Sequence, residues 1–473
     1  MKVLFTHSYF LRFDKKQWKQ RKPYPPLATI QAASNLRKEG HEVSLFDTNF
    51  AHGANEVSPY LNEKPDFLVL YDDGFNYLTK MCLTNMREAA FEMIQMAKKQ
   101  GIKVFVSSSD STDHFEQYLQ KGADAIILGE ADETLLELVK SRENWKTCKG
   151  IAYREDDSFE KTAPRASLTN LSELPLPAWD LINIRPYQEA WSIHGYFSIN
   201  LATTRGCPFK CNWCAKPIYG NRYNSRSPEH VVKEIQLIRS LFEFDHIWFC
   251  DDIFGLKPNW IQEFNQVLMK ESIVIRYKIQ SRADLLVKDD TVKSLAESGC
   301  DEVWIGAEIG SQKILDAMDK GTSVEQIEES TLLMKNHKIK PCFFLQFGYL
   351  SEDWNDIMAT KNMLFKLLPA DIGVSVSYPL PGTKFYDKVK SELNQKANWK
   401  DSDELLLMYK GSFSPEFYKK LHRYIHKLFR GKQALLQLQK GKLIYIFRYS
   451  YFKLFSTFDY FQVLRMKNSG KES

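Results

Sequence analysis

Short apolar runs alternate with stretches of helical periodicity over the first 140 residues of the chain. The apolar runs predict strands at residues 2–6, 42–47, 67–71, 103–107 and 125–128, and the helical periodicity predicts helices at residues 27–39, 82–99, 115–121 and 133–140. Gly40, Gly101 and Gly122 each follow a predicted helix, where a left-handed C-cap favours glycine. This alternation predicts a doubly wound parallel α/β sheet, whose ligands bind at the carboxyl ends of the strands.

The same alternation returns in the second half of the chain. Strands are predicted at residues 198–203, 246–250, 276–280, 302–306, 341–347 and 372–376, and helices at residues 228–242, 260–271, 290–297, 323–336 and 354–367. Strands and helices in series imply parallel strands joined by right-handed crossovers, hence an open or closed βα barrel. In such barrels the active site lies at the carboxyl ends of the strands.

These patterns divide the chain into four segments. We predict a doubly wound domain at residues 1–145, a linker at 146–195, a barrel at 196–390 and a helical C-terminal region at 391–473. The linker contains several prolines and one short predicted strand at residues 150–154. The C-terminal region has no strand pattern, and residues 416–438 have the pattern of a helix.

Composition excludes some classes of protein. The net charge of +5 is small for 473 residues and gives no general argument for nucleic-acid binding. His7 and Ser8 interrupt the first apolar run, unlike in a secretory signal, and no run approaches the roughly 18–20 apolar residues of a membrane span. Five of the eight cysteines are scattered singly, unlike a disulfide framework. We therefore expect a cytoplasmic protein with reduced thiols.

The other three cysteines, Cys207, Cys211 and Cys214, lie close together after the first strand of the predicted barrel. Thiolates suit zinc or an iron–sulfur cluster. Structural zinc takes four ligands, and no fourth cysteine or histidine has a suitable spacing, while catalytic zinc sites are mostly rich in histidine. In a four-iron cluster, three cysteines leave one iron open to an outside ligand. The spacing favours a [4Fe–4S] cluster over zinc, and over three cysteines buried by chance.

The pattern Cys-x3-Cys-x2-Cys, with Trp213 before the third cysteine, resembles the signature of the radical S-adenosylmethionine (SAM) superfamily. The resemblance implies a partial βα (TIM-like) barrel in which the open iron of the cluster binds the amino and carboxylate groups of SAM. One electron, from a reductant such as flavodoxin or ferredoxin, then cleaves the sulfonium to methionine and a 5′-deoxyadenosyl radical. That radical abstracts a hydrogen atom from the substrate, and positioning in a dry cavity supplies much of the catalysis.

The resemblance implies further SAM-binding residues in addition to Trp213, and these are assigned from their positions after the barrel strands. Asp251 and Asp252 end the second barrel strand, where the superfamily presents acidic groups to the SAM ammonium, although Gly-Gly-Glu is the common sequence there. Arg282, just after the third strand, pairs with the SAM carboxylate or forms a surface salt bridge. Glu308, after the fourth strand, lies near the SAM ribose or acts as a carboxylate at a helix N-terminus.

The domain order resembles the cobalamin-binding subfamily of radical SAM enzymes, in which a Rossmann-like cobalamin domain precedes the barrel. The branch of anaerobic magnesium-protoporphyrin monomethyl ester cyclase is the most similar, through residues 25–29, 40–43, 122–124, 129–134, 174–180 and 378–383. The Asp-x-His-x-x-Gly histidine that binds cobalt in classical cobalamin domains is absent, as it is from many members of the subfamily. The resemblance implies that cobalamin binds at the strand ends, and the alternative for the residues there is ordinary loop polarity. These residues are Ser107, Ser108, Ser109, Gly129 and Glu130.

The C-terminal region interleaves basic and aromatic residues between Phe417 and Lys453. The preferred interpretation is a helical cap on the barrel, with solvated charges and buried aromatic rings. The alternatives are a patch that contacts a membrane surface and suits a lipid-like substrate, or RNA binding through aromatic stacking.

Together these features predict a radical SAM enzyme with a [4Fe–4S] cluster, SAM and cobalamin. It would methylate or cyclise an unactivated carbon of a small-molecule or lipid-like substrate. The alternative from another class is a non-catalytic iron–sulfur or zinc protein that serves as a redox sensor or scaffold. The open coordination site and the barrel location favour the enzyme.

Overall fold

The computed structural model describes residues 1–141, 145–393 and 397–469. The strands are β1 Lys2–Thr6, β2 Glu42–Phe46, β3 Phe67–Tyr71, β4 Lys103–Ser107, β5 Ala125–Ile127, β6 Ile151–Glu155, β7 Ser158–Lys161, β8 Ser198–Leu201, β9 Thr204–Arg205, β10 Asn224–Ser225, β11 His246–Phe249, β12 Tyr277–Ser281, β13 Cys300–Glu308, β14 Lys340–Phe347 and β15 Asp371–Val376. The longer helices are Leu27–Lys38, Thr84–Lys99, Asp132–Ser141, Pro228–Leu241, Trp260–Lys270, Val324–Asn336, Trp354–Leu367, Pro415–Gln439 and Ile446–Ser469. Shorter helices include Lys15–Gln20, Ser58–Asn62, Tyr77–Lys80, Ser109–Asp113, Phe115–Gln120, Arg185–Trp191, Ala283–Leu286, Thr291–Glu297, Gln312–Ala317 and Lys384–Val389.

The first sheet has the strand order β2-β1-β3-β4-β5-β6-β7, and its first five strands are parallel. Successive residues of one strand belong to different hydrophobic cores, as Leu68 and Val69 do, because helices cover both faces of the sheet. The predicted Rossmann-like, doubly wound fold is confirmed.

Two antiparallel strands extend this sheet beyond the prediction. β6 pairs with β5 and β7 pairs with β6, so residues 151–161 of the predicted linker belong to the sheet. Ile151 and Ala152 are fully buried against its edge, while β7 is mostly exposed. The single apolar pair in β6 explains why the periodicity indicated only one short strand.

The second sheet has the order β15-β14-β13-β12-β11-β8, with helices between successive strands. The pairs β8–β11, β13–β14 and β14–β15 are parallel. The predicted partial βα barrel is confirmed, and its strands and helices agree with the sequence pattern to within a few residues. Strand β13 is longer than predicted because it continues to Glu308 past a bulge between Gly306 and Glu308.

The chain divides into two compact units. The first comprises Met1–Phe209, Ala215–Tyr277 and Asn398–Glu404, and it contains the seven-stranded sheet. The second comprises Lys210–Cys214, Lys278–Ala397 and Leu405–Ser473, and it contains β13, β14, β15 and the C-terminal helices. The domain boundaries predicted at residues 145, 195 and 390 stay predictions.

The predicted C-terminal helix is present as Pro415–Gln439, and a second helix, Ile446–Ser469, packs against it. The Tyr424 and Tyr460 rings lie 5.3 Å apart between them. The second helix is apolar on both faces and so lacks the one-sided pattern by which sequence reveals an amphipathic helix. No helix in the described ranges is both long enough and apolar enough to span a membrane.

Candidate functional site

The cysteine loop runs from β9 to β10, which pair antiparallel and bring its two ends together. Gly206 opens the loop with a φ of +79°, and a Cβ there would lie 2.5 Å from the carbonyl oxygen of Arg222. Only glycine combines that conformation with such a close approach of backbone. Cys207 follows directly and is buried, whereas Cys211 and Cys214 are half-buried.

Asn212 anchors the part of the loop that carries Cys211. Its side-chain amide donates to the carbonyl oxygen of Ala317 at 2.7 Å, and its amide oxygen accepts from the Tyr349 hydroxyl at 2.7 Å. Its backbone N–H donates to the Met318 carbonyl at 3.0 Å, and its carbonyl accepts from the backbone N–H of Phe385 at 2.9 Å. Because Asn212 is itself buried, these bonds fix the position of the Cys211 thiol.

Arg282 lies against this thiol at the end of β12. One terminal guanidinium nitrogen, Nη1, is 3.8 Å from Cys211 Sγ. The other, Nη2, donates to the carbonyl oxygen of Lys320 at 2.7 Å, and Nε donates to Asp284 at 2.9 Å. Only 4% of Arg282 is exposed, so it is not the surface salt bridge that the sequence left open. Its predicted pairing with the SAM carboxylate stays a prediction.

Glu308 and Lys320 form a buried ion pair in the same unit. Lys320 Nζ lies 2.6 Å from Glu308 Oε1. Both side chains cross the face of Gly306, where a Cβ would lie 2.5 Å from Lys320 Nζ and 2.6 Å from Glu308 Oε1. Burial disfavours the charge on Lys320, but the attraction of the Glu308 carboxylate and its hydrogen bond with Lys320 raise the pKa of Lys320. Glu308 also has a φ of +54°, a strained conformation of the kind that collects at functional sites.

Two buried polar atoms near these residues have no hydrogen-bond partner among the described residues. One is the indole Nε1 of Trp213, whose ring lies 5.9 Å from Lys320 Nζ. The other is the hydroxyl of Thr322, two residues after Lys320. An unsatisfied buried donor costs about 1–3 kcal/mol, so a ligand that supplied the missing partner would gain binding energy beside these two atoms.

The three cysteines of this loop offer soft sulfur donors, which suit zinc or an iron–sulfur cluster. Within the described ranges, no three His, Cys, Asp or Glu side chains are grouped so that they could hold one metal ion. Zinc requires its ligands at about 2.0–2.3 Å from a single centre. In a cubane cluster each thiolate binds a different iron, so the sulfurs stand apart. Thiol donors together with an unpartnered indole N–H therefore fit a cluster with an exogenous ligand.

The carboxylates at the end of β11 already have protein partners. Asp251 is fully buried and accepts 2.7 Å hydrogen bonds from the backbone N–H groups of Thr203 and Thr204. Burial raises the pKa of Asp251 to about 6, although these bonds oppose the shift. Asp252 accepts from Lys80 Nζ at 2.7 Å. Asp251 therefore connects the end of β11 to the residues that follow β8. Contact of Asp251 or Asp252 with SAM stays a prediction.

Three serines at the end of β4 are buried. Ser108 caps the helix Ser109–Asp113: its hydroxyl accepts from the backbone N–H of Ser111 at 2.8 Å, and the Ser111 hydroxyl accepts from the Ser108 N–H at 3.0 Å. The Ser107 carbonyl accepts from the backbone N–H of Asp72 at 2.9 Å. Gly129 follows β5 with a φ of +80°. Contact of Ser107, Ser108, Ser109 and Gly129 with cobalamin stays a prediction.

Glu130 belongs to a buried triad centred on Arg205, two residues before Cys207. Arg205 Nη1 lies 2.5 Å from Glu130 Oε1 and 2.6 Å from Asp132 Oδ2. Glu130 also accepts from the backbone N–H of Leu168 at 2.7 Å. Burial raises the pKa of Glu130, although the Arg205 guanidinium opposes the shift. The triad connects the start of the cysteine loop to the loop after β5.

Sequence reasoning missed Arg205, Asp132 and Lys320. Asp132 lies in a segment that carried the family resemblance and Arg205 lies just before the cysteine pattern, but nothing in the sequence pairs a basic residue with acidic residues more than 70 positions away. Lys320 lies in a turn between two helices, where Asp319 and Gly321 on either side of it have φ values of +52° and +65°.

Known proteins resemble both the barrel and the whole chain. A family model described as the Radical SAM superfamily matches residues 201–364. An uncharacterised methyltransferase of Pyrococcus horikoshii is 25% identical over 80% of this chain and 81% of its own length. The anaerobic magnesium-protoporphyrin IX monomethyl ester cyclase of Synechocystis is 23% identical over 67% of this chain and 63% of the cyclase.

A solved structure shares the fold over almost the full length. The cobalamin-dependent S-adenosylmethionine radical enzyme OxsB, with aqua-cobalamin bound, has a TM-score of 0.75 and covers 98% of this chain and 72% of its own. Its sequence identity is 19%, so this likeness shows the fold alone. Together with the three-cysteine loop after the first barrel strand, these matches identify residues 201–364 as a radical SAM domain, and the methyltransferase and cyclase relatives indicate an enzyme.

Proposed function

We propose that Cys207, Cys211 and Cys214 hold a [4Fe–4S] cluster, that SAM binds beside it, and that cobalamin binds in the Rossmann-like domain. The reaction is the methylation or cyclisation of an unactivated carbon in a small-molecule substrate. The observation that carries this proposal is the setting of Cys211, held by Asn212 and 3.8 Å from the Arg282 guanidinium. The names of the relatives, a methyltransferase and a cyclase, support the two reaction types.

The residues around Cys211 have clear chemical tasks in this proposal. A cluster with one open iron supplies the electron for reductive cleavage of SAM, and cobalamin supplies a carrier for a methyl group. Arg282 is a positioning residue that compensates the negative charge of a thiolate-bound cluster and orients the Cys211 sulfur. Trp213 offers its indole N–H to an acceptor on the bound cofactors, because no described residue provides one. Glu308 and Lys320 supply fixed charges that position the polar groups of SAM.

Cobalamin in the first domain is supported by the domain order and by the fold shared with OxsB. The ends of the strands present hydroxyl groups and a glycine to a ligand. His7, just after β1, forms hydrogen bonds with neighbouring protein side chains through both ring nitrogens. His7 Nε2 lies 2.9 Å from Asp47 Oδ1, and Nδ1 lies 3.0 Å from the Thr48 hydroxyl. His7 is therefore engaged by protein groups, and the proposal is that cobalamin would bind here without a histidine ligand to cobalt.

The cluster is tested by anaerobic reconstitution with iron and sulfide, followed by chromatography of the products formed from SAM under reducing conditions. We expect the wild-type protein to absorb near roughly 400 nm and to release 5′-deoxyadenosine, together with S-adenosylhomocysteine if it methylates. Alanine at Cys207, Cys211 or Cys214 should abolish the absorption and the products. Cys250→Ser and Cys300→Ser are matched controls at buried cysteines and should retain both. Equal loss in the controls, or cleavage without the three cysteines, would overturn the assignment.

Cobalamin binding has its own test. Reconstituted protein is incubated with hydroxocobalamin, passed through gel filtration and examined by its corrin absorption. We expect about one corrin per chain, with no change of spectrum in His7→Ala if no histidine binds cobalt. Protein that retains no corrin yet cleaves SAM would refute the cobalamin assignment and leave the cluster assignment standing.

A further inference from the structure

The last helix and the turn before it expose a long row of large apolar side chains. The exposed fractions are Leu443 75%, Ile444 83%, Ile446 50%, Phe447 84%, Tyr451 53%, Leu454 67%, Phe455 39%, Phe458 59% and Phe461 65%. Single exposed apolar residues are common on protein surfaces, but a contiguous group of this size marks an interaction site.

Five of these side chains share one face of the helix Ile446–Ser469. Phe447, Tyr451, Leu454, Phe458 and Phe461 follow one another at intervals of three or four residues, the spacing of neighbours along a helix face. The opposite face is occupied within the protein. Ser456 and Val463 are buried there, and Gly431 of the helix Pro415–Gln439 lies against Phe452. The exposed face is therefore additional to the packing that holds the helix in place.

The charges of this segment are almost all positive. Residues 440–469 contain six basic residues, which are Lys440, Lys442, Arg448, Lys453, Arg465 and Lys467. The segment contains one acidic residue, Asp459, which is buried and lies 2.7 Å from Lys427 Nζ. Arg448 and Lys453 are exposed beside the apolar row, on opposite sides of it by helical geometry. The exposed face thus combines apolar and aromatic side chains with basic flanks and no exposed carboxylate.

We propose that this face binds the surface of an anionic lipid bilayer, with the helix lying in the plane of the interface. Phenylalanine, leucine and tyrosine would enter the boundary between headgroups and acyl chains, while Arg448 and Lys453 contact anionic headgroups. A second copy of the chain fits less well, because a two-fold interface would place the same basic flanks against each other. The proposal does not depend on the cofactors proposed above.

The experiment is sedimentation of the full-length protein with vesicles of equal parts phosphatidylcholine and phosphatidylglycerol, compared with phosphatidylcholine alone. We expect binding to the anionic vesicles that weakens as salt rises, because the attraction acts within a Debye length. Arg448→Glu/Lys453→Glu and Phe447→Glu/Phe458→Glu should each weaken binding by about tenfold or more. Absence of wild-type protein from the anionic pellet at low salt would overturn the proposal.

Matched controls and a second measurement distinguish the other occupants. Met269→Glu/Leu332→Glu places two acids at exposed apolar positions outside this helix and should bind vesicles as the wild type does. Equal loss in this control would overturn the proposal, since net charge would then explain the binding.

Light scattering without lipid should show a monomer. A wild-type dimer that Phe447→Glu/Phe458→Glu converts to a monomer would instead show that a second copy covers the face, and would overturn the proposal. Thermal unfolding confirms that each variant is folded.

Discussion

Two regions of the molecule have polar residues where parallel strands end, and they differ in how those residues are satisfied. The first-domain rim, defined as Ser107, Ser108, Ser109, Gly129 and Glu130, contains side chains that bond within the protein, as Ser108 does with Ser111 and Glu130 with Arg205. The barrel-end cluster, defined as Cys211, Trp213, Arg282, Glu308 and Lys320, also contains paired buried charges, but its Trp213 indole N–H has no acceptor among the described residues.

The difference shows what position at a strand end does and does not predict. Loops at this edge are where ligands bind in α/β folds, so both regions were reasonable candidates. A polar side chain at this edge can equally accept hydrogen bonds from backbone N–H groups of the protein, as Ser108 and Asp251 do. Unsatisfied buried groups therefore indicate a ligand more strongly than location does. Of the residues that define the two regions, only Trp213 has such a group, so by that criterion the barrel-end cluster is the stronger site.

The largest expected effect on stability is at the first-domain rim. Arg205→Met would leave Glu130 and Asp132 buried without their cation and should lower the free energy of unfolding by about 3–5 kcal/mol. Urea denaturation followed by tryptophan fluorescence measures this change. Arg185→Met is the matched control, because it removes an exposed ion pair with Glu189 that is worth less than about 1 kcal/mol. A small effect of Arg205→Met would show that the triad does not brace this rim.

The second prediction concerns activity at the barrel-end cluster. Lys320→Met/Glu308→Gln removes both charges of the buried pair, so no uncompensated charge remains to unfold the protein. We expect SAM cleavage to fall by about 100-fold, a loss of roughly 2.7 kcal/mol in transition-state stabilisation, with the cluster absorption retained.

Lys366→Met, which removes an exposed pair with Glu328, is the control and should cleave SAM at the wild-type rate. Normal cleavage by the double variant would show that the Lys320–Glu308 pair is a purely structural feature, and the contrast between the two regions would weaken.

The smallest effect is expected at Ser108. Ser108→Ala removes the side-chain cap of the helix Ser109–Asp113 and should lower stability by about 1 kcal/mol, while Ser108→Thr retains most of it. SAM cleavage by the folded protein should not change. Thermal unfolding and product chromatography measure the two quantities. Corrin retention that falls in Ser108→Ala at unchanged stability would instead assign Ser108 to cobalamin binding.

Sequence predicted the parts of the molecule that depend on local pattern. The alternation of strands and helices predicted both sheets, and the spacing of Cys207, Cys211 and Cys214 located the loop, because ligand spacing is a property of the sequence. Glu308 was found from its position after a strand. Its partner Lys320 was not, since the pair depends on how two turns pack. Helix Ile446–Ser469 lies within the region predicted to be helical, but its bounds were not predicted, because its apolar residues lie on two faces.

The central claim is that three cysteines hold a cluster with one iron open to SAM. The most direct measurement is the paramagnetic resonance spectrum of the reduced, reconstituted protein with and without SAM, in the wild type and in Cys211→Ala. The account predicts a [4Fe–4S] signal whose g-values change when SAM is added, and no such signal from Cys211→Ala. A wild-type signal that SAM leaves unchanged, or an equal signal from Cys211→Ala, would contradict it.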